Sequence, residues 1–209
     1  MNTTEKITVG EYVATDFRTA ALFSKYKIDF CCKGNKTLHE VCQAKGLDIN
    51  QIESEINTVL NTGSSSEMDF KSFSPNLLID YIIEKHHEYI QEKTPVLLIY
   101  LDKLCKVHGE RHPELFEINS LFKIASSELL NHLQKEEVVL FPFIKTMVTA
   151  IRNYETIQQP GFGTVENPIA MLKQDHETEG SLFAKISELT NEYNPPIDAC
   201  ETYRVTFAM

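Results

Sequence analysis

Apolar residues recur at helical spacing through most of the chain. Leu78, Ile82, Ile83, Ile90, Leu97, Leu98, Leu101 and Leu104 form one stripe leading toward His108, the rhythm of a helix that buries one face. Ser74-Pro75 supplies an N-cap followed by proline at the first helical position. Pro95 lies inside the pattern and predicts a kink, at a cost of about 3 kcal/mol in an ideal helix. Gly109 to Pro113 reads as a turn, and a second helix runs from about Glu114 through His132 and Glu136 to near Ile151. A Gly- and Pro-containing loop covers Gln158 to Val165. A third helix opens at Asn167-Pro168 and passes His176 to about Tyr193, and Pro195-Pro196 predicts the start of a fourth that the chain end cuts short.

The first 62 residues are built differently, from three or four short helices. Thr8 with Glu11 and Thr37 with Glu40 have the spacing of capping boxes, and Asn50 with Glu53 predicts a third with Asn in place of Ser or Thr. Between these helices lies Asp29-Phe30-Cys31-Cys32-Lys33-Gly34-Asn35, where Gly34 and Asn35 mark a turn. Thr62-Gly63-Ser64-Ser65-Ser66-Glu67 is small, polar and flexible, and reads as a linker. The expected organisation is a small helical domain over 1–62, a linker over 63–72 and a larger helical bundle over 73–209.

Composition narrows the function classes. A hydrophobic content of 42% supports a real core, and few Gly and Pro favour helices over a turn-rich β fold. A net charge of -10 argues against a nucleic-acid partner. No apolar run approaches the roughly 18–20 residues of a membrane span, so no membrane association is expected. Residues 1–6 lack the apolar core of a secretion signal. Five cysteines, an odd set with no CxxC spacing, fit neither a disulfide framework nor a structural zinc site, and a cytoplasmic location is expected. Cys42, Cys105 and Cys200 read as core.

The chemistry rests on the histidines. His132 and Glu136, four apart, stand on one face of a helix one turn from each other. In a bundle, inward imidazoles and carboxylates on facing helices build two-metal sites. His87 lies 22 residues before Gly109 and His132 lies 19 after Pro113, about 33 and 29 Å of helix at 1.5 Å per residue, so an antiparallel hairpin brings them to similar height. His176, nine residues after Asn167, fits the same level less closely. Its acidic surroundings (Asp175, Glu177 and Glu179) leave a solvated face open as the other reading. The same counting puts His108 and His112 at the hairpin tip, about 30 Å away, and excludes them. His86 reads as surface and His39 as structural. Glu128 and Glu137 either support the ligands or are solvated. A ligand on the fourth helix would fall some 17 or more residues after Pro196, beyond Met209.

These residues resemble the repair-of-iron-centres family, di-iron proteins with a hemerythrin-like domain behind a small cysteine-bearing amino-terminal domain. The resemblance spans nearly the whole chain. It is carried by the run Ala21 to Gly34, which includes Asp29-Phe30-Cys31-Cys32, with Thr37-Leu38. It continues in His87, in the His-x-x-x-Glu-Glu run from His132 to Pro142, in Gln174-Asp175-His176-Glu177-Thr178-Glu179-Gly180, and in Pro195-Pro196 through Cys200 and Tyr203. The family's closing helix carries a further His-x-x-x-Glu, which this chain stops before.

The resemblance implies an all-α protein: a hemerythrin-like up-down bundle, its fourth helix truncated, preceded by a small helical domain. It implies two non-haem iron ions held by His87, His132, Glu136 and His176, with Glu136 bridging and the second ion short of ligands. Cys31 and Cys32 become candidate redox or transfer thiols. The implied function is repair of iron–sulfur clusters damaged by nitrosative or oxidative stress, by donating iron. Iron–sulfur proteins or apo-acceptors would be the partners, nitric oxide a further one, and a homodimer the assembly. Two alternatives use the same irons: a nitric oxide reductase, and a hemerythrin-like oxygen or iron sensor.

Overall fold

The computed structural model describes residues 7–30, 33–61 and 70–209. The chain divides into two compact units, Met1–Ser74 and Pro75–Met209. Both are helical. No strand forms among the described residues, where a single antiparallel bridge pairs Thr8 with Thr37. Among the same residues no helix is long and apolar enough to cross a membrane.

The first unit comprises α1 (Val9–Thr15), α2 (Arg18–Lys25), α3 (Leu38–Lys45) and α4 (Ile49–Asn61). Both Thr/Glu capping boxes form. Thr8 and Thr37 accept from the backbone N–H groups of Glu11 and Glu40, whose carboxylates return to the threonine N–H groups. The expected Asn50 cap does not form. Asp48 Oδ1 accepts from the N–H groups of Asn50 and Gln51, at 2.9 and 3.4 Å, because the helix starts two residues earlier than the Asn/Glu spacing suggested. The apolar faces close over Val9, Tyr12, Phe23, Ile28, Leu38, Ile52 and Ile56, with Cys42 buried among them as read.

Cys31 and Cys32 lie outside the described residues, but their flanks are held tightly. Gly10 N–H donates to the Gly34 carbonyl at 2.9 Å and Val9 N–H to that of Lys36 at 2.9 Å. A Cβ on Gly34 would stand 2.3 Å from the Phe30 carbonyl oxygen, a backbone atom with no rotamer by which to yield. Gly34→Ala is therefore expected to lower the stability of this small unit by about 2 kcal/mol or more. Urea unfolding followed by helix signal measures it, and an unchanged midpoint would show that the turn has room to relax.

The second unit has three long rods. The first joins α5 (Pro75–Ile82), a π turn (Ile83–His87) and α6 (Glu88–His108). The second joins α7 (Glu114–Lys135), a π turn (Glu136–Leu140) and α8 (Phe141–Asn153). The third is α9 (Glu166–Leu189), and the short α10 (Glu201–Ala208) follows. In each π turn one N–H reaches back five residues, Glu88 to Ile83 and Phe141 to Glu136. Pro142 accounts for the second, since its ring crowds the carbonyl of residue 138 and it offers no N–H, which an inserted residue accommodates. The first has no nearby proline. Its cause is tertiary.

Several helix ends differ from the sequence reading. The helical backbone continues through Pro95, and the irregularity of that rod sits at 83–87 instead. α9 starts at Glu166, so Asn167 lies inside it, its side chain donating to the Phe162 carbonyl at 2.7 Å rather than capping. α9 stops at Leu189, four residues short of Tyr193, because Asn191, Glu192 and Tyr193 all take left-handed backbone angles. Pro195-Pro196 does not start a helix, and α10 begins at Glu201, with Cys200 in extended geometry as its N-cap residue.

Two apolar clusters give the rods their order. Ile79, Leu140, Phe141 and Leu172 meet at one end, and Leu101, Leu104, Leu115, Ile118, Ile186 and Tyr203 at the hairpin end. Since 79 and 101 pair with 140 and 115–118, and with 172 and 186, the three rods run up, down and up. Between the clusters every rod carries one of His87, His132 and His176, and the first also carries the exposed His86.

Candidate metal centre

His87 ends the first π turn and Glu136 begins the second, so both sit where the helical register is displaced by one residue. His87 and His132 are only 3% and 2% exposed, whereas His176 keeps an exposed edge. His132 Nε2 lies 3.0 Å from His176 Nε2, their rings 4.5 Å apart between centroids. The Glu136 carboxylate then divides its two oxygens. Oε1 faces His132 Nε2 at 3.5 Å and Oε2 faces His87 Nε2 at 3.1 Å. Three helices thus bring three imidazoles and one carboxylate to one level.

An outer ring of acids holds these groups. Glu137 Oε1 takes His87 Nδ1 at 2.8 Å, and the ring of His87 stacks on Phe141 with centroids 5.7 Å apart. Those contacts with both 136 and 137 supply the tertiary cause of the first π turn, which turns His87 inward. On the far side of His132, Nδ1 faces Asp175 Oδ2 at 3.7 Å and Glu179 Oε1 at 4.0 Å. Lys135 binds Asp175 at 2.7 Å. Glu179 is 6% exposed, so it is not part of a solvated face as its acidic neighbours suggested. Burial pushes its carboxyl pKa up, only partly offset by His132. Burial depresses the His132 imidazole, but the carboxylates of Glu136, Glu179 and Asp175 outweigh it and hold its pKa above the ordinary value. Burial, then the neighbouring His132, lower that of His176.

The donor set fits a cation. Two imidazole nitrogens 3.0 Å apart can share at most one proton between them. Ligands about 2.1 Å from a metal and at right angles to each other are separated by about 3.0 Å. One ligand atom each from His132, Glu136 and His176 lies within 4.8 Å of the others. Buried His132 Nδ1 and Glu179 Oε1, on the outer side of the ring, have no hydrogen-bond partner, so the polar groups behind the donor set are not satisfied by one another.

Of the residues singled out from sequence, His87, His132, Glu136 and His176 converge, while His108 and His112 lie apart at the α6–α7 connection. His86 is exposed. Glu179 and Asp175 were missed as neighbours of His132. Their spacing from each other and from His176 puts Asp175 and Glu179 on one stripe of α9, a signal available in the sequence. Cys105 is buried as read, but Cys200 is exposed, because α10 starts after it rather than at Pro195.

A bundle with imidazoles and carboxylates converging between two apolar clusters is a metal-binding helical domain, and residues 78–209 match the hemerythrin HHE cation binding domain. Residues 5–60 match ScdA_N, a domain of unknown function (DUF542). Over nearly its full length the chain is similar to the iron-sulfur cluster repair protein YtfE of Cronobacter sakazakii, 30% identical over 200 residues that cover 95% of this chain and 83% of that protein. It is also similar to the iron-sulfur cluster repair protein ScdA of Staphylococcus haemolyticus, 32% identical over 207 residues, 99% of this chain and 88% of the other. A YtfE of Escherichia coli is 30% identical over 200 residues, covering 95% and 84%. The chain belongs to this family of iron-sulfur cluster repair proteins.

Proposed function

We propose that this protein holds two non-haem iron ions in its bundle and restores damaged iron–sulfur clusters by donating iron to them. The supporting observation is Glu136, whose two carboxylate oxygens point to different histidines, His132 and His87, as a carboxylate shared between two ions would. His132 and His176 would hold one ion, and His87 the other. When bound, iron supplies a ferrous ion that a site without thiolate ligands keeps only moderately tightly and can hand on. The protein's part is to hold neutral imidazoles in place: Glu137 orients His87, and Asp175 and Glu179 face the outer nitrogen of His132. Apo iron–sulfur proteins are the natural acceptors.

The test mixes iron-loaded protein with an apo iron–sulfur protein and follows metal analysis and cluster absorbance. Donation predicts that iron moves to the acceptor at a rate slowed by competing chelators. Iron that stays in the bundle while the acceptor remains apo would overturn this reading. Cys31 and Cys32 enter as transfer thiols, supported by their adjacent positions in the sequence shortly before Gly34. Changing both to Ser is expected to leave iron content unchanged and to slow cluster repair several-fold, on the order of the loss of a thiolate nucleophile or ligand. Repair at the parent rate would return the two cysteines to a packing role.

A further inference from the structure

At the hairpin end of the bundle, away from the metal centre, a second group of reactive side chains comes together. His108 closes α6, Arg111 and His112 lie in the connection to α7, and Asp198 and Cys200 precede α10. His108 Nε2 is 3.2 Å from Cys200 Sγ, and Arg111 Nη2 is 3.3 Å from His108 Nδ1. A guanidinium has only hydrogens to offer, so His108 Nδ1 must accept and the ring proton sits on Nε2, directed at sulfur. Arg111 is itself anchored, its Nη1 2.7 Å from Asp198 Oδ2, and His112 Nε2 meets Asp198 Oδ1 at 3.0 Å. The His108 ring is 4% exposed and lies edge-on to Tyr203 at 5.5 Å, while Cys200 is exposed.

We infer that Cys200 is a nucleophilic thiol, served by His108 and oriented by Arg111, that reacts with small hydroperoxides. A fixed N–H donor beside sulfur favours the thiolate, the nucleophilic form, and a third group here fixes the tautomer of that donor. The N–H of His108 stabilises negative charge on Sγ, and the sulfur stands at the amino-terminal end of α10, which favours the same charge. The thiolate attacks one peroxide oxygen, the S–O bond forms and the O–O bond breaks. Sulfur gives up two electrons, becoming a sulfenic acid, and the proton released to solvent when the thiol ionised returns to the departing hydroxide or alkoxide, which leaves as water or alcohol.

The two buried cysteines of the described residues supply internal standards. Cys42 and Cys105 are buried, burial raises both thiol pKa values, and Cys105 Sγ donates to the Leu115 carbonyl at 3.2 Å. The experiment alkylates the full chain with iodoacetamide at neutral pH and reads each cysteine by peptide mass spectrometry. A matched sample receives one equivalent of hydrogen peroxide and dimedone. Cys200 is expected to alkylate about tenfold faster than glutathione under the same conditions, and to carry the dimedone adduct while Cys42 and Cys105 do not. Comparison with glutathione removes exposure as the explanation. His108→Leu should lose the acceleration and His108→Gln, whose amide still donates, should keep part of it. Arg111→Met, at an exposed position, should reduce it with the melting temperature unchanged. Alkylation of Cys200 no faster than glutathione, with no sulfenic adduct, would overturn the assignment whatever the variants do.

Discussion

Changing His132 to Leu and Glu136 to Gln together is expected to leave the protein folded and without bound iron. The substitution removes one ligand outright and abolishes the negative charge of the group that faces both His132 and His87, leaving one acceptor oxygen in place of two. A single remaining imidazole on each side does not hold a ferrous ion against water. The fold tolerates it, because His132 is almost fully buried between apolar clusters and leucine fills similar volume. Glu136→Gln preserves shape. Iron by metal analysis should fall to less than about a tenth of the parent value, in line with losing first-contact ligands. A second readout is thermal. Metal at 100 times its dissociation constant stabilises by about 2.7 kcal/mol, roughly 5–15 °C of melting temperature for a bundle of this size. The parent should show that shift on adding ferrous iron and the double variant should not. Undiminished iron in the variant refutes the ligand assignment.

Glu179→Leu should move metal affinity and apo stability in opposite directions. In the metal-free protein Glu179 is buried, its Oε1 lacks a hydrogen-bond partner, and its nearest counter-charge, His132 Nδ1, is 4.0 Å away. Two terms compete: attraction to His132 and the cost of taking a carboxylate out of water. The raised pKa of Glu179 shows that desolvation wins. Replacing the group with an apolar residue of helix-favouring type should therefore raise apo stability, by about 1–3 kcal/mol, the range for relieving a buried unsatisfied group. Iron affinity should fall about 10–100-fold, because a carboxylate that faces the outer nitrogen of His132 and favours positive charge there is lost. Chelator competition and chemical unfolding of apo protein measure the two quantities. A parallel loss of both would mean that Glu179 is structural only.

Much of this architecture was legible in the chain. Threonine and glutamate at three-residue spacing marked two helix starts in the first unit, and both boxes form. Apolar spacing located the rods of the second, and counting residues from a shared turn placed His87 and His132 at one height, where they lie. Local signals succeeded where the deciding interaction is between near neighbours. They failed at ends set by other contacts. Asp48 rather than Asn50 caps α4, and the left-handed run at 191–193 ends α9 early. Cys200, expected in the core, is exposed because α10 begins only after it.

The site shows the same division at closer range. His132 and Glu136 share a face by helical period alone, and so do Asp175 and Glu179, although burial of the latter was not foreseen. The chain by itself determined the helices, the level of the histidines along them and the family. Only the folded bundle decided that two π turns re-aim His87 and Glu136, that Glu136 divides its oxygens between two helices, and that His108 meets Cys200 from 92 positions away. The reason is rotational. Height along a rod follows from counting residues, but each residue also turns the helix by about 100°. Which side chains face inward therefore depends on one-residue shifts of register that neighbouring rods, not neighbouring residues, select.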